Sequence, residues 1–515
     1  MGWSKRFLTI TVVLFFSIPA FCQVYEAWVA RYNGPENYND AARAIAVDDS
    51  GNVYVTGDSY SPGTGIDFVT VKYTFFGDTA WVRRVNGSGN GDDYGLANAV
   101  DVSGNAYVTG YTVGNITGAD CSTIKYAPNG DTNWVRHYNG PANSHDAGIS
   151  LALDGDRNLY VVGRSEGSAT GLDFATIKYA PNGDTIWVRR YDGPGSGDDT
   201  VNALAVDGAG YVYVTGESYA PLTGYDFVTI KYSPQGEIVW VRHYNGPANG
   251  TDYSEDIAVD EAGCVYVTGF SEDSATYRDY TTIKYSPSGD TLWIRRYYVS
   301  NGDLDWAKAL AVDESLNVYV TGGSGYEYAT IKYTPDGNTG WVRRYDGPGY
   351  AGNTARAVAI DQNGSVYVTG FSSGYGTDLD YATVKYSKNG DVEWVRRYDG
   401  PASFMDLARA MVLDKCGNVY VTGSSWGSFS KYDFGTIKYC LWSSGEVNQD
   451  GKTGVADIVY LINMMFKSWQ MPGPTCLADV NGDGYLQLSD IIYLANYIFK
   501  SGPGPVVTRE CCGVS

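Results

Sequence analysis

The sequence predicts a mainly β protein: an eight-bladed propeller with four strands in each blade, followed by a small helical domain. The first observation is an internal period. Trp28, Trp81, Trp134, Trp187, Trp240 and Trp293 stand 53 residues apart, and Trp341 and Trp394 follow after 48 and 53. The tyrosines of a VYVTG-like run (Tyr54, Tyr107, Tyr160, Tyr213, Tyr266, Tyr319, Tyr367, Tyr420) and the lysines of a TIKY-like run (Lys72, Lys125, Lys178, Lys231, Lys284, Lys332, Lys385, Lys438) keep the same beat. Eight copies at this interval indicate a propeller or a solenoid. The second observation is the content of one period: ARAIAVD (42–48), NVYVTG (52–57), DFVTVKY (67–73) and AWVRRV (80–85), with turn sequences such as DDSG and FFGD between them. Four short runs rich in β-branched and aromatic residues make one blade. No ten-residue helical pattern occurs between Gln23 and Tyr439. The third observation is the state of the ends. A lone Trp strand, AWVARY (27–32), precedes the first set, and the Trp strand expected after Lys438 is missing. Pairing the two closes the ring and removes an exposed sheet edge.

Ahead of the propeller, Lys5 and Arg6 precede twelve apolar residues, FLTITVVLFFSI (7–18), and Pro19, Ala20 and Cys22 suggest cleavage before Gln23. Twelve residues are too few to span a bilayer, so residues 1–22 read as a secretory signal peptide. The protein is expected to be secreted or held at the cell surface, with no membrane span. Its formal net charge of −21 and pI of about 4.5 argue against nucleic acid and against anionic lipid. Export permits disulfides. Cys121, Cys264, Cys416 and Cys440, spread through a large domain, are expected to be mostly free, buried thiols, and Cys476 is expected to bridge Cys511 or Cys512.

Strand order assigns positions within a blade. The Ala-rich strand comes first and should line the axis, where small side chains fit. The Trp strand should lie outermost, its indole covering the neighbouring blade. Short turns (DDSGN, TFFGD) then share one face, and the longer connections NGPENYND (33–40) and DSYSPGTGI (58–66) share the other. Long loops on a rigid scaffold are where binding usually sits. Copy six is shortened at GGSGYEY (322–328).

The runs AVDxxGNVYVTG, DFxTIKY and GDxxWVRRY resemble the bacterial beta-propeller repeat family over residues 27–439. The resemblance implies the fold, in an exported protein, and little about activity. That family is usually seven-bladed, so seven blades is the alternative count. The propeller is assigned to residues 23–440 and a linker to 441–445.

Residues 446–515 form the second domain. EVNQDGKTGVADIVYLINMMFKS (446–468) and DVNGDGYLQLSDIIYLANYIFKS (479–501) align with each other. Asp479, Asn481, Asp483, the carbonyl of Tyr485 and Asp490 supply oxygens at loop positions 1, 3, 5, 7 and 12, with Gly484 at the bend. Glu446, Asn448, Asp450, the carbonyl of Lys452 and Asp457 repeat the pattern. Ca²⁺ takes six to eight hard oxygens, and such loops provide them. Two Ca²⁺ sites are therefore expected, the first weaker because Glu446 is longer than Asp. Behind Asp490, Ile491, Leu494 and Ile498 fall on one helical face. The pair resembles a type I dockerin over residues 445–502. The resemblance implies duplicated EF-hand-like calcium units and a cohesin-like or cell-surface partner, recognised at positions matching Val455, Ala456, Leu488 and Ser489.

A catalytic constellation is harder to find. GRSEG (163–167), GFSSG (370–374) and GSSWG (423–427) match GxSxG, but each leaves a strand into a loop with no helix following, so a nucleophile elbow is not expected. His137 and His243 occupy a slot that holds Arg84, Arg190, Arg344 and Arg397 elsewhere, and His145 lies alone in a long loop. Asp67, Asp120, Asp173, Asp226, Asp279, Asp380 and Asp433 recur before TIKY, and Asp48 and its equivalents end the Ala-rich strand. Carboxylates repeated that often read as architecture. The unrepeated loop residues are Tyr38, Tyr60, Asp92, Asp93, Tyr94, Asp198, Asp199, Tyr219, Asp252, Tyr253 and Trp306. They suit sugars, peptides or cations as well as a solvated acidic rim. The expectation is an exported, non-enzymatic binding or scaffold protein, with carbohydrate or protein on the long-loop face and the calcium module as tether. The alternative is a secreted polysaccharide-degrading enzyme, which two unrepeated carboxylates in a cleft would favour.

Overall fold

The computed structural model describes residues 24–299, 304–349, 352–440, 458, 459, 461, 462 and 488–500. Val24–Cys440 makes one unit, and Leu441–Cys511 belongs to another. In the first unit 32 strands, β1 to β32 in chain order, form eight four-stranded sheets among the described residues. The blade count is eight. The first blade runs from β2 (Asp40–Val47) through β3 (Val53–Ser61) and β4 (Gly65–Tyr73) to β5 (Thr79–Val85), and the next six blades repeat that order. In the eighth, the outermost strand is β1 (Tyr25–Tyr32), antiparallel to β32 (Tyr432–Cys440), with Trp28 opposite Lys438. The chain's first strand thus completes its last blade, and β32 has no open edge.

Seven further inner strands stand beside β2 around the axis: β6 (Tyr94–Val100), β10 (Asp146–Leu153), β14 (Thr200–Val206), β18 (Asp252–Val259), β22 (Asp305–Val312), β26 (Thr354–Ile360) and β30 (Asp406–Leu413). Each touches the next, and β30 returns to β2.

The recurring residues hold blade to blade. Trp81 packs between Tyr54 of its own blade (6.0 Å) and Tyr126 of the next (5.7 Å). Its Nε1 and the Nζ of Lys72 both donate to the carbonyl of Pro128, in a turn of that next blade. Lys72 Nζ also lies 4.8 Å from the Tyr54 ring centre. Trp28 carries the same contact across the closure, donating to the carbonyl of Phe75 at 3.0 Å. The boundary from the seventh blade to the eighth differs, because the first and last strands of the propeller meet where the other blades have that turn. There Lys385 pairs with Glu393 instead (2.9 Å), Arg396 donates to the carbonyl of Val24 (2.7 Å), and Trp394 Nε1 is buried without an acceptor among the described residues. At the short turns Asp48 accepts from the backbone N–H of Ser50 and Asn52 and from the Tyr54 hydroxyl, an arrangement the other blades share with small variations. Cys121 and Cys264 are free thiols as expected; Cys121 and Cys440 are buried, but Cys264 and Cys416 are only half-buried.

In the second unit α1 spans Leu488–Lys500. Ile491 and Leu494 pack with Ile458 and Leu461, their counterparts in the other copy of the duplicated sequence, and Ile498 lies beside them.

Candidate functional site

Most polar groups singled out by the sequence serve the scaffold. The serines of the GxSxG runs accept hydrogen bonds from outer-strand arginines: Ser165 from Arg190, Ser372 from Arg397 (2.7 Å) and Ser425 from Arg31 (2.5 Å). The same arginines pair with Asp173, Asp380 and Asp433, as Arg84 does with Asp67 and Arg296 with Asp279. The pre-TIKY aspartates are therefore blade clamps. Two clusters bring three carboxylates within 4.8 Å of one another, Asp173 with Asp192 and Asp199, and Asp380 with Asp399 and Asp406. In both, the guanidinium of Arg190 or Arg397 already supplies the positive charge.

His137 Nδ1 meets Ser122 Oγ at 2.8 Å and His243 Nε2 meets the Tyr191 hydroxyl at 3.0 Å. Burial holds His243 below the usual imidazole range. His145, expected to be alone, has partners: Ser144 Oγ at 3.1 Å and Glu166 Oε2 at 3.9 Å.

Three long-loop acids read as unrepeated are in fact repeated. Asp93, Asp199 and Asp252 occupy one structural position with Asp40, Asp146, Asp305 and Asp406, and Asn353 fills it in the seventh blade. Asp93 accepts from the N–H of Gly87 and Val113, and Asp252 from the N–H of Gly246 and Glu272. Burial raises both carboxyls to about 6 against those donors. They keep the 53-residue interval of the repeat, with 48 across the shortened copy, so the sequence already held this equivalence. Asp92 and Asp198 likewise tie loops together, accepting from the N–H of Ile66 and Leu172.

The true variation lies deeper. Every inner strand carries a β-bulge at one position, between Ala42 and Ala44 in the first blade and at the equivalent step in all the others. A bulge inserts one extra residue and re-aims its side chain. Around the ring these residues are Arg43, Leu96, Ile149, Asn202, Glu255, Lys308, Arg356 and Arg409. The axis is thus lined by large and mostly polar side chains, which corrects the expectation of small ones. The repeat did hold a signal for this. Gly57 in VYVTG stands against the bulge, where a Cβ would lie 2.0 Å from the carbonyl oxygen of Ala41, and the equivalent glycines are equally tight. A glycine inside a strand marks a bulge or a close backbone approach.

The bulge residues meet across blades. Lys308 Nζ and Trp306 Nε1 both donate to Glu255 Oε1, at 2.7 and 2.6 Å. Asn202 Nδ2 donates to Glu217 Oε2 (2.7 Å) and to the carbonyl of Ser254 (2.8 Å). Glu217 is 3% exposed. Burial, with repulsion from Glu255, raises its carboxyl to about 9, so it is protonated at neutral pH. Arg43 pairs with Asp58 and lies 5.2 Å from the Tyr94 ring.

Aromatic rings form a wall beside this ring on the long-loop side. Tyr219, Tyr225, Tyr253, Phe270 and Trp306 follow one another at 5.5, 6.0, 5.3 and 5.0 Å, with Tyr253 and Phe270 stacked at 16°. Arg278 lies over Phe270 at 4.5 Å. Three of these, Tyr219, Tyr253 and Trp306, were expected; Tyr225 and Phe270 were missed because they lie inside strand motifs. Tyr38 and Tyr60 pair elsewhere, at 4.7 Å. A cavity of 290 Å³ between the second and third blades is lined by Tyr111, His145 and Arg164. The cavities of 570 and 460 Å³ lie on the opposite, short-turn face and are built from the repeated Asp, Tyr and Lys.

Of the expected calcium ligands, Asp490 lies in the first turn of α1 and is fully buried. Glu446, Asn448, Asp450, Lys452, Asp457, Asp479, Asn481, Asp483 and Tyr485 lie outside the described residues, as do residues 1–23, the linker and Cys476, Cys511 and Cys512. Asp490 fits a calcium ligand as an acidic oxygen at a helix start, and the equivalence of Ile458 with Ile491 and Leu461 with Leu494 fits a duplicated unit.

A family model for the Beta-propeller repeat matches residues 28–63 and 186–223. No curated protein matches the chain. Among solved structures it is similar to the WD40 domain of SCAP from fission yeast (8% identity, TM-score 0.44, 81% of this chain and 97% of that one). It is also similar to Drosophila Plexin A in complex with Semaphorin 1b (10%, 0.39, 82% and 89%). Regucalcin from Agrobacterium tumefaciens gives 15%, 0.31, 54% and 81%.

Proposed function

We propose that this chain is an exported, non-enzymatic binding protein whose ligand enters the axial mouth on the long-loop face. One observation carries the reading: the repeated polar groups are largely spent on blade-to-blade bonds, whereas side chains that differ from blade to blade gather in the bulge ring and its aromatic wall. A scaffold held by repetition can vary those positions freely. The test is a glycan and peptide array probed with the full chain, followed by Trp306→Ala and Tyr253→Ala. Binding that those substitutions abolish supports the reading; binding that survives both places the site elsewhere.

The C-terminal unit serves as a calcium-dependent tether to a cohesin-like or cell-surface partner. Two features support it. The duplicated acidic loops have the chemistry for Ca²⁺. Leu488 and Ile492 on α1 and Val459 in the other copy are each more than half exposed, leaving an apolar face for a partner. Isothermal titration of the full chain with Ca²⁺ should show two events, the tighter lost in Asp479→Ala. No binding would remove the tether.

A second reading, an enzyme acting on polysaccharide, is favoured by Glu217 and Glu255, two unrepeated and mutually repelling carboxyl groups on adjacent blades. Against it, Glu217 is buried and held by Asn202. Release of reducing ends from polysaccharide, lost in Glu255→Gln, would decide for the enzyme.

A further inference from the structure

The bulge ring is not balanced in charge. Four consecutive blades contribute Lys308, Arg356, Arg409 and Arg43, while the others contribute Leu96, Ile149, Asn202 and Glu255. Lys308 is matched by Glu255 and Arg43 by Asp58. Arg356 and Arg409 have no ion pair or hydrogen bond among the described residues. Arg356 lies over the Phe371 ring at 5.4 Å, and Asp58, the acid acting on Arg409, already holds Arg43. Both guanidinium groups are exposed to solvent, yet the surrounding protein desolvates them, and Arg43 and Arg356 repel Arg409. That combination describes groups inside an open channel. In a chain of net charge −21 counter-charge is plentiful, but the two acids that act here, Glu255 on Arg356 and Asp58 on Arg409, already hold Lys308 and Arg43. The fold does not require arginine at this position, since leucine, isoleucine and asparagine occupy it elsewhere.

We infer that Arg356 and Arg409, backed by Arg43, form a receptor for an oxyanion: the carboxylate, sulfate or phosphate group of the ligand that enters the axial mouth. The inference rests on the reading of that mouth as the binding site. Guanidinium groups suit it because their planar fork donates two parallel hydrogen bonds to such groups, and three on neighbouring strands can share one anion. The enclosed setting strengthens each bond relative to bulk water.

The test titrates the full chain at constant ionic strength with tetragalacturonate, inorganic sulfate and inorganic phosphate, which separates an acidic saccharide from a free anion. At least one should bind saturably at one per chain. Affinity should fall at least about tenfold in Arg356→Gln and in Arg409→Gln, and stay unchanged in Lys415→Gln, an exposed lysine that pairs with Asp49 on the short-turn face. Thermal melts guard against misfolding: the glutamine variants relieve repulsion and should not melt earlier, and only the wild type should gain melting temperature from the anion. Absence of saturable binding for all three probes, or binding indifferent to both substitutions, would overturn the inference. A neutral oligosaccharide bound equally by wild type and both variants would also overturn it while leaving the axial mouth as the binding site, so the two readings fail separately.

Discussion

Lys308 and Glu255 stand one repeat apart, 53 residues, at the same bulge position of adjacent blades, and form an ion pair of 2.7 Å between them. One position of the repeat thus carries opposite charges in successive copies. Their side chains are 11% and 22% exposed, so the pair is mostly desolvated, and removing one partner strands the other. Glu255→Gln should cost about 3 kcal/mol at pH 7, and the double variant Glu255→Gln with Lys308→Met should recover most of it. Burial lowers the Lys308 ammonium to about 8, with Glu255 opposing the shift. Since its folded pKa lies below the unfolded value of 10.5, the stability of wild type relative to Lys308→Met should rise as pH passes from 8 to 10.5. Denaturant melts across that range check both statements.

Glu217 gives the opposite slope. Its folded pKa, about 9, lies above the unfolded value of 4.5, so its contribution to stability is complete below pH 4.5 and is lost as pH climbs toward 9. Glu217→Gln removes the ionisable group while keeping an acceptor for Asn202. Melting temperatures of wild type and variant should agree at pH 4.5 and separate progressively in the variant's favour by pH 8. A gap that does not change with pH would contradict the burial argument.

The fold was legible because repetition averages noise. Eight spaced tryptophans and tyrosines gave the blade count, and the stray strand at Trp28 gave the closure, since a propeller must consume its own edge. The site was less legible for the same reason. Arg43, Lys308, Arg356 and Arg409 sit one per copy inside an Ala-rich run, where they look like tolerated surface variation. The glycine of VYVTG marks the bulge, but the backbone is needed to show that it turns that position toward the axis. Asp93 and Asp199 were misread in the other direction, although they stand 53 and 159 residues beyond Asp40, whole multiples of the repeat.

The seventh blade tests the indole hydrogen bond. Trp187 Nε1 donates to the carbonyl of Pro234 at 3.1 Å, whereas Trp394 Nε1 is buried with no acceptor among the described residues. Replacing Trp by Phe deletes the donor and keeps most of the aromatic packing. Trp187→Phe should therefore cost about 1 kcal/mol more than Trp394→Phe, the net worth of one such bond. Equal losses, read from urea midpoints, would mean that packing alone sets the value of the outer-strand tryptophans.

The short turns yield a stabilising prediction. Six of them place glycine in the left-handed region after the capping aspartate, among them Gly51 (φ 71°) and Gly364 (φ 78°), but the third blade has Arg157 there (φ 64°) and the sixth has Leu316 (φ 62°). The turn geometry is set by the aspartate, which binds the backbone two and four residues on, as Asp361 does with Asn363 and Ser365. All eight turns take this left-handed conformation at that position, so a side chain there bears the strain. A non-glycine residue there loses roughly 1–2 kcal/mol to the clash between Cβ and the carbonyl oxygen, while glycine loses part of that in chain entropy. Leu316→Gly should therefore raise stability by about 0.5–1 kcal/mol, and Arg157→Gly by a similar amount. The reciprocal change, Gly364→Leu, should lower it by a comparable margin. Chemical denaturation of the three variants measures all of this on one scale, and a destabilised Leu316→Gly would show that the leucine's contacts outweigh its backbone strain.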